Sequence, residues 1–187
     1  MNPNSLVRDQ AGNLYGTTDY NYPTSYGTVF KLAPDGTLAT LYSFTGGADG
    51  SGPATLVGDR AGNLYGTTLG PPNSGTVFKL APDGTFTTLY TFTGGADGEL
   101  PIATLLPIGR NLYGTTLFGG VSDFGVLFKL APDGTESVLH SFTLRDGILP
   151  CCGLTLKYGR LFGTTSASSL RVGAGGGTVF SFGVAKH

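Results

Sequence analysis

Charge is the scarcest ingredient of this chain: only 12% of its 187 residues are Asp, Glu, Lys or Arg, and their balance leaves a net charge of -1. A protein that grips nucleic acid or an anionic membrane needs a basic face, and 11 Lys and Arg against 12 Asp and Glu provide none. Nucleic acid is therefore excluded as a partner. Histidine is nearly missing too: His140 and His187 are the only two, and the chain has no HExxH, no G-x-S-x-G and no phosphate loop. His-based catalysis is left without its residues. The two cysteines, Cys151 and Cys152, sit in one spot and cannot staple a framework. No run reaches the roughly 20 apolar residues that span a bilayer, which argues against membrane insertion. Met1-Asn2-Pro3 has neither the basic nor the apolar region of a signal peptide, and Met1 falls almost directly against repeat sequence, which points to a natural leader missing from this chain. Helical periodicity is absent as well.

What is present is repetition. The string Leu14-Tyr15-Gly16-Thr17-Thr18 returns at Leu64, at Leu112 and, with Phe162 in place of Tyr, at Leu161, so the starts lie 50, 48 and 49 residues apart. A second string keeps step: Gly27 to Thr37 reads GTVFKLAPDGT, Gly75 to Thr85 repeats it, Gly125 to Thr135 changes two residues, and Gly177 to Phe182 stops at GTVFSF. Each period holds four short runs of strand character. Strand A (Ser5 to Asp9, then Ala54 to Gly58, Ala103 to Leu106 and Leu154 to Lys157) follows a proline, and strand B is the LYGTT string. Strand C is Thr28 to Leu32 and its copies, and strand D is Leu38 to Phe44, Phe86 to Phe92 and Glu136 to Phe142. Ala33-Pro34-Asp35-Gly36 turns C into D, with proline at the second turn position and glycine where positive φ is wanted.

Four antiparallel strands per repeat of roughly 40 to 50 residues is the pattern of a β-propeller blade. The fold expected is all-β: a single domain over 1–187, with four blades near 3–45, 52–93, 100–143 and 150–183. Strand D occurs three times against four copies of A, B and C, so the last blade lacks its outer strand. The count favours a closed four-bladed monomer, with self-association through the incomplete blade as the alternative. Gly16 reads as a mid-strand gap that admits an aromatic of the next blade, Phe30 or Phe78 being the candidates.

The combination P-x-x-x-L, GNLYGTT, GTVFKLAPDGT and LYSFTGGADG, from Pro3 to Phe182, resembles the bacterial tandem-repeat proteins called choice-of-anchor or GloVer repeat proteins. The resemblance implies a secreted or cell-surface protein and brings no defined activity. Members of that family tend to begin with an LYSFTGG-type strand before the first proline, and such a strand would supply the missing D strand.

Candidate chemistry lies in the connections. The B to C loops differ in every repeat: 19–26, 69–74, 117–124 and 166–176. Tyr20, Tyr22 and Tyr26 crowd the first of them, and flat rings with polar tips stack on sugars or anchor a protein partner, although a tyrosine can equally cover a blade edge. Asp123 and Arg171 have no repeat counterpart. The D to A loops carry Asp49, Asp97 and Asp146 at equivalent places, where they could hold Ca²⁺ at a common mouth or, more simply, bond their own turns. Cys151-Cys152 departs from the repeat, either as a vicinal disulfide or as two thiols. The leading expectation is a non-catalytic module that binds glycan or protein through Tyr20, Tyr22, Tyr26, Asp123, Arg171, Cys151 and Cys152, with no cofactor beyond the candidate Ca²⁺. The alternative is a carbohydrate-active enzyme using two of Asp97, Glu99 and Asp146, a pair that glycoside hydrolysis would need about 5 to 9 Å apart.

Overall fold

The computed structural model describes residues 3–19, 21, 24–70, 74–167 and 176–184. These hold sixteen β-strands and no helix. The first sheet runs in order through β1 (Pro3–Arg8), β2 (Leu14–Thr18), β3 (Thr28–Leu32) and β4 (Leu38–Ser43), and the second through β5 (Ser51–Gly58), β6 (Leu64–Gly70), β7 (Thr76–Leu80) and β8 (Phe86–Thr91). The third contains β9 (Leu106–Ile108), β10 (Asn111–Thr115), β11 (Val126–Leu130) and β12 (Glu136–Ser141), and the fourth β13 (Ile148–Pro150), β14 (Thr155–Lys157), β15 (Arg160–Ala167) and β16 (Val179–Gly183). All pairings are antiparallel. The chain divides into two compact units, Met1–Phe92 and Thr93–His187, with two sheets in each.

The C to D hairpins form as their sequence dictates. Asp35, Asp83 and Asp133 each accept the amide of the Thr two residues on at 2.9 Å, and Gly36, Gly84 and Gly134 take φ of 88°, 87° and 85°. A feature not legible in the sequence follows each turn. Register shifts between Val29 and Phe30, Val77 and Phe78, and Leu127 and Phe128, leaving Leu41, Leu89 and Leu139 as the extra residue on strand D. A bulge at the same place in three sheets adds twist to the outer edge of each.

The bounds of strand A shift: β1 starts at Pro3 and β5 at Ser51, ahead of the expected Ser5 and Ala54. In the third sheet the strand starts at Leu106 instead of Ala103, while Glu99, ahead of it, keeps a bridge to Phe118. In the fourth, the strand expected from Leu154 to Lys157 is β14, and a further short strand, β13, pairs with β15 ahead of it, with the Cys-Cys-Gly segment between the two. The fourth sheet thus has four strands without a D strand: β16 lies on the other side of β15, and no strand among the described residues pairs with its outer edge.

The glycine of LYGTT is filled from its own sheet, not from the next blade. Gly16, Gly66, Gly114 and Gly163 pair directly with Phe30, Phe78, Phe128 and Phe180 on strand C. A Cβ on Gly66 would stand 2.5 Å from the Phe78 ring, and one on Gly163 would stand 2.4 Å from Phe180. The ring folds over the empty position because a cross-strand pair brings the two residues face to face. The first threonine of the string also bonds from sheet to sheet: Thr17 Oγ1 donates to Ala54 O at 3.2 Å, and Thr115 Oγ1 to Pro150 O at 3.3 Å.

In the first unit the core comprises Val29, Phe44, Leu56, Leu64, Phe78 and Leu80. Phe86 on strand D stacks on Tyr42 at 3.9 Å between ring centroids, while Phe44 meets Phe78 edge-on at 5.3 Å. The second unit repeats the theme around Tyr113, Leu127, Phe142, Leu154 and Leu161, with Phe142 edge-on to Phe180 at 4.8 Å.

Candidate functional site

The three D to A aspartates are bonded within their own turns. Asp49, nearly buried, accepts Thr45 N at 2.8 Å, Thr45 Oγ1 at 2.6 Å, Gly47 N at 3.1 Å and the Tyr42 hydroxyl at 3.0 Å. Burial pushes this carboxyl up, but the Thr45 hydroxyl and amide, with Tyr42 and Gly47, outweigh burial and hold it below the ordinary carboxylate range. Asp97 accepts Thr93 N at 2.8 Å and the Thr93 hydroxyl. Asp146 accepts Thr143 N at 3.1 Å, together with the Thr143 hydroxyl and His140 Nε2. It too is held low: burial raises it, and Thr143 and His140 reverse the effect. These bonds make each carboxylate a staple of its own turn. Among the described residues no group of three or more His, Cys, Asp or Glu could hold a metal. Glu99 forms a backbone bridge with Phe118.

The B to C loops give fewer positions. Tyr20, Tyr22 and Arg171 lie outside the described residues. Tyr26 packs against the first core, and its ring lies over Gly46 in the turn after β4, where a Cβ would stand 2.3 Å from it. Asp123 is exposed at φ 58° and its Oδ1 accepts Gly119 N at 2.8 Å, which closes the loop upon itself. Cys151 is half-buried and Cys152 exposed; both are free thiols, with the sulfurs 3.1 Å apart. Burial pushes the Cys151 thiol up, whereas hydrogen bonds from Thr164 and Cys151 hold Cys152 below its ordinary value.

Reasoning from sequence passed over the other end of the strands, where the A to B turns lie. In the first unit the turns Asp9 to Asn13 and Asp59 to Asn63 flank a groove of about 460 Å³, lined among others by Arg8, Asp9, Gln10, Tyr15, Arg60 and Asn63. Asp9 accepts Asn13 N at 2.9 Å, Asn13 Nδ2 at 2.7 Å and the Tyr15 hydroxyl at 3.1 Å. Asp59 makes the same set with Asn63 and Tyr65, at 2.9, 2.8 and 3.2 Å. Asn13 holds the Asp9 carboxyl below the ordinary range; at Asp59 burial raises the value and Asn63 more than reverses it. Both carboxylates are fixed anions. Arg8, Gln10 and Arg60 stand exposed around them. The sequence signal was Asp-x-Ala-Gly-Asn, present in the first two repeats and replaced by Ile108-Gly109-Arg110-Asn111 and Lys157-Tyr158-Gly159-Arg160 in the others.

With this geometry in hand, comparison with known proteins is informative about fold. The family model described as the Gloeobacter/Verrucomicrobia repeat matches residues 2–187. No curated protein matches the chain significantly. Among solved structures, virginiamycin B lyase from Staphylococcus aureus aligns with a TM-score of 0.60 at 13% identity, over 95% of this chain and 55% of that one. A gluconolactonase from Xanthomonas campestris aligns at 0.55 and 18% identity, over 86% and 52%. Puromycin hydrolase aligns at 0.54 and 13% identity, over 86% and 24%. This chain therefore spans little more than half the length of the first two. Identities this low carry the fold, that of β-propeller blades, and a lyase, a lactonase and a hydrolase on one fold do not select a chemistry. Among the described residues no helix is long and apolar enough to cross a membrane.

Proposed function

This chain belongs to the Gloeobacter/Verrucomicrobia repeat family, and on that footing we propose that it is a non-catalytic binding module, working outside the cell and taking a glycan as ligand. The observation that carries the reading is the state of the carboxylates in the groove between the first two A to B turns. Asp9 accepts hydrogen bonds from Asn13 and Tyr15, and Asp59 from Ala61, Asn63 and Tyr65, and both are held ionised. Such groups orient a hydroxyl but do not carry a proton back and forth. Around them Arg8, Gln10 and Arg60 offer donors, with Val7 and Leu64 adding apolar lining. A volume of about 460 Å³ lies in the usual range of small-ligand sites. Polar side chains converging over a partly apolar wall suit a sugar, whose faces alternate between C–H and O–H.

The test is incubation with a panel of polysaccharides in which binding and product release are both measured. Binding without release is the expected outcome. Sugar release that Asp97→Asn or Asp146→Asn abolishes would refute it.

One observation favours an enzymatic second reading. Burial, with the charge of Asp97 nearby, pushes the Glu136 carboxyl up to about 7, so this group exchanges a proton near neutral pH beside a second carboxylate. Any turnover found in the same panel should then be lost in Glu136→Gln.

A further inference from the structure

The groove between the first two A to B turns continues into a second hollow of about 360 Å³, and the two share Tyr15, Gly62 and Leu64 as lining. Both lie within the first unit. They differ in charge. The first is lined by Arg8 and Arg60 together with Asp9 and Asp59, so its cations and anions balance. The second has a single charged group in its lining, Lys31, with Leu41, Leu64, Leu80 and Pro82 as apolar wall.

Lys31 is placed by its strand. It pairs with Tyr15 across β2 and β3, and its Nζ stands 5.9 Å from the centre of the Tyr15 ring. The ring in turn is fixed, because its hydroxyl donates to Asp9 at 3.1 Å. An ammonium held over an aromatic face keeps its N–H donors open to another partner. No ion pair of Lys31 is found among the described residues. The lysines at this place in the next two sheets act on their own hairpins: Thr85, and after it the charge of Lys79, hold Asp83 below the ordinary range, as Thr135 and Lys129 hold Asp133. Asp35 is held low by Thr37, with no part from Lys31. The charge of Lys31 is thus left to the hollow.

On the footing that this groove takes a glycan, we infer that the ligand is acidic: an oligosaccharide with a uronic-acid residue in the second hollow and a neighbouring sugar in the first. The uronate carboxylate accepts from Lys31 Nζ, and the C–H face of the same ring lies on the wall of Leu41, Leu64 and Leu80. Hydroxyls of the neighbouring sugar meet Arg8 and Arg60 as donors and Asp9 and Asp59 as acceptors. A neutral sugar in the second hollow would take water from Lys31 without supplying a counter-charge, which selects against it.

The experiment titrates trimers of galacturonate, glucuronate and mannuronate, each beside its neutral methyl ester, into the full chain by isothermal calorimetry. At least one acid should bind saturably and about tenfold or more tightly than its ester, with a preference that shrinks as salt rises. In Lys31→Gln the preference should fall below about twofold, whereas Lys31→Arg, which keeps the charge, should retain it. Equal binding of acid and ester, binding of neutral sugars alone, or a preference that survives Lys31→Gln would overturn the acidic ligand and leave the glycan reading standing. Binding of no sugar, acidic or neutral, would overturn both.

Discussion

Replacing Gly114 by alanine tests the way these sheets are packed. A Cβ there would lie 2.6 and 2.9 Å from Cζ and Cε1 of Phe128 and 3.0 Å from Leu105 Cδ2. Phe128 is 0% exposed, so its ring has no free direction in which to yield. Overpacking of this kind costs about 1 to 3 kcal/mol, offset in part by the roughly 0.4 to 1 kcal/mol that alanine gains over glycine through the unfolded chain. Gly114→Ala should therefore destabilise by about 1 to 2 kcal/mol. Phe128→Leu alone leaves a void and should cost about 1 to 3 kcal/mol. Leucine ends at Cδ, so in the double variant both clashing ring atoms are gone and the two losses should not add. The coupling is expected to be favourable by at least about 0.5 kcal/mol. Urea unfolding of the four proteins measures it, since a 1 to 2 kcal/mol change moves the midpoint by roughly half to one molar. Losses that simply sum would refute the claim that the glycine exists to seat the ring.

Three further outcomes follow from individual side chains. Asp49→Ala removes a charged acceptor from four donors and should destabilise by about 2 to 3 kcal/mol, read by thermal unfolding. Because the folded value of Asp49 lies below 3.8, its stabilisation is complete above that pH and disappears as pH falls through the folded value, so the acid sensitivity of the unfolding midpoint should shrink in this variant. Glu136 works in the opposite sense. Raised from 4.5 to about 7, it binds its proton more tightly in the folded state, so stability should decline as pH rises from about 4.5 to 7, and Glu136→Gln should flatten that decline. Cys152, with its lowered value and exposed sulfur, should be alkylated by iodoacetamide before Cys151, as peptide mass spectrometry will show; the reverse order contradicts the geometry.

The blades were legible because strand and turn signals here are local. Pro34, Asp35 and Gly36 name their turn, and LYGTT repeats often enough to fix the strand count. The partner of Gly16 was not legible, since only register reveals that Phe30 lies across from it in the same sheet. The two-part strand A of the fourth sheet was not legible either, because the Cys-Cys-Gly segment between β13 and β14 has no counterpart in the other repeats. The site was read least well. Variation between repeats drew attention to the B to C loops, whereas the described groove is flanked by Asp9 and Asp59, which recur unchanged in the first two repeats. Their side chains bond within the A to B turns, beside which Arg8 and Arg60 stand.

Isothermal titration of a panel of neutral and uronic-acid-containing oligosaccharides into the chain and into Arg8→Ala/Arg60→Ala tests the central claim most directly. The account expects at least one sugar to bind the parent chain saturably and to lose tenfold or more of its affinity in the double variant, with the unfolding temperature unchanged. Undiminished affinity in the variant, or a sugar consumed during the titration, would contradict it.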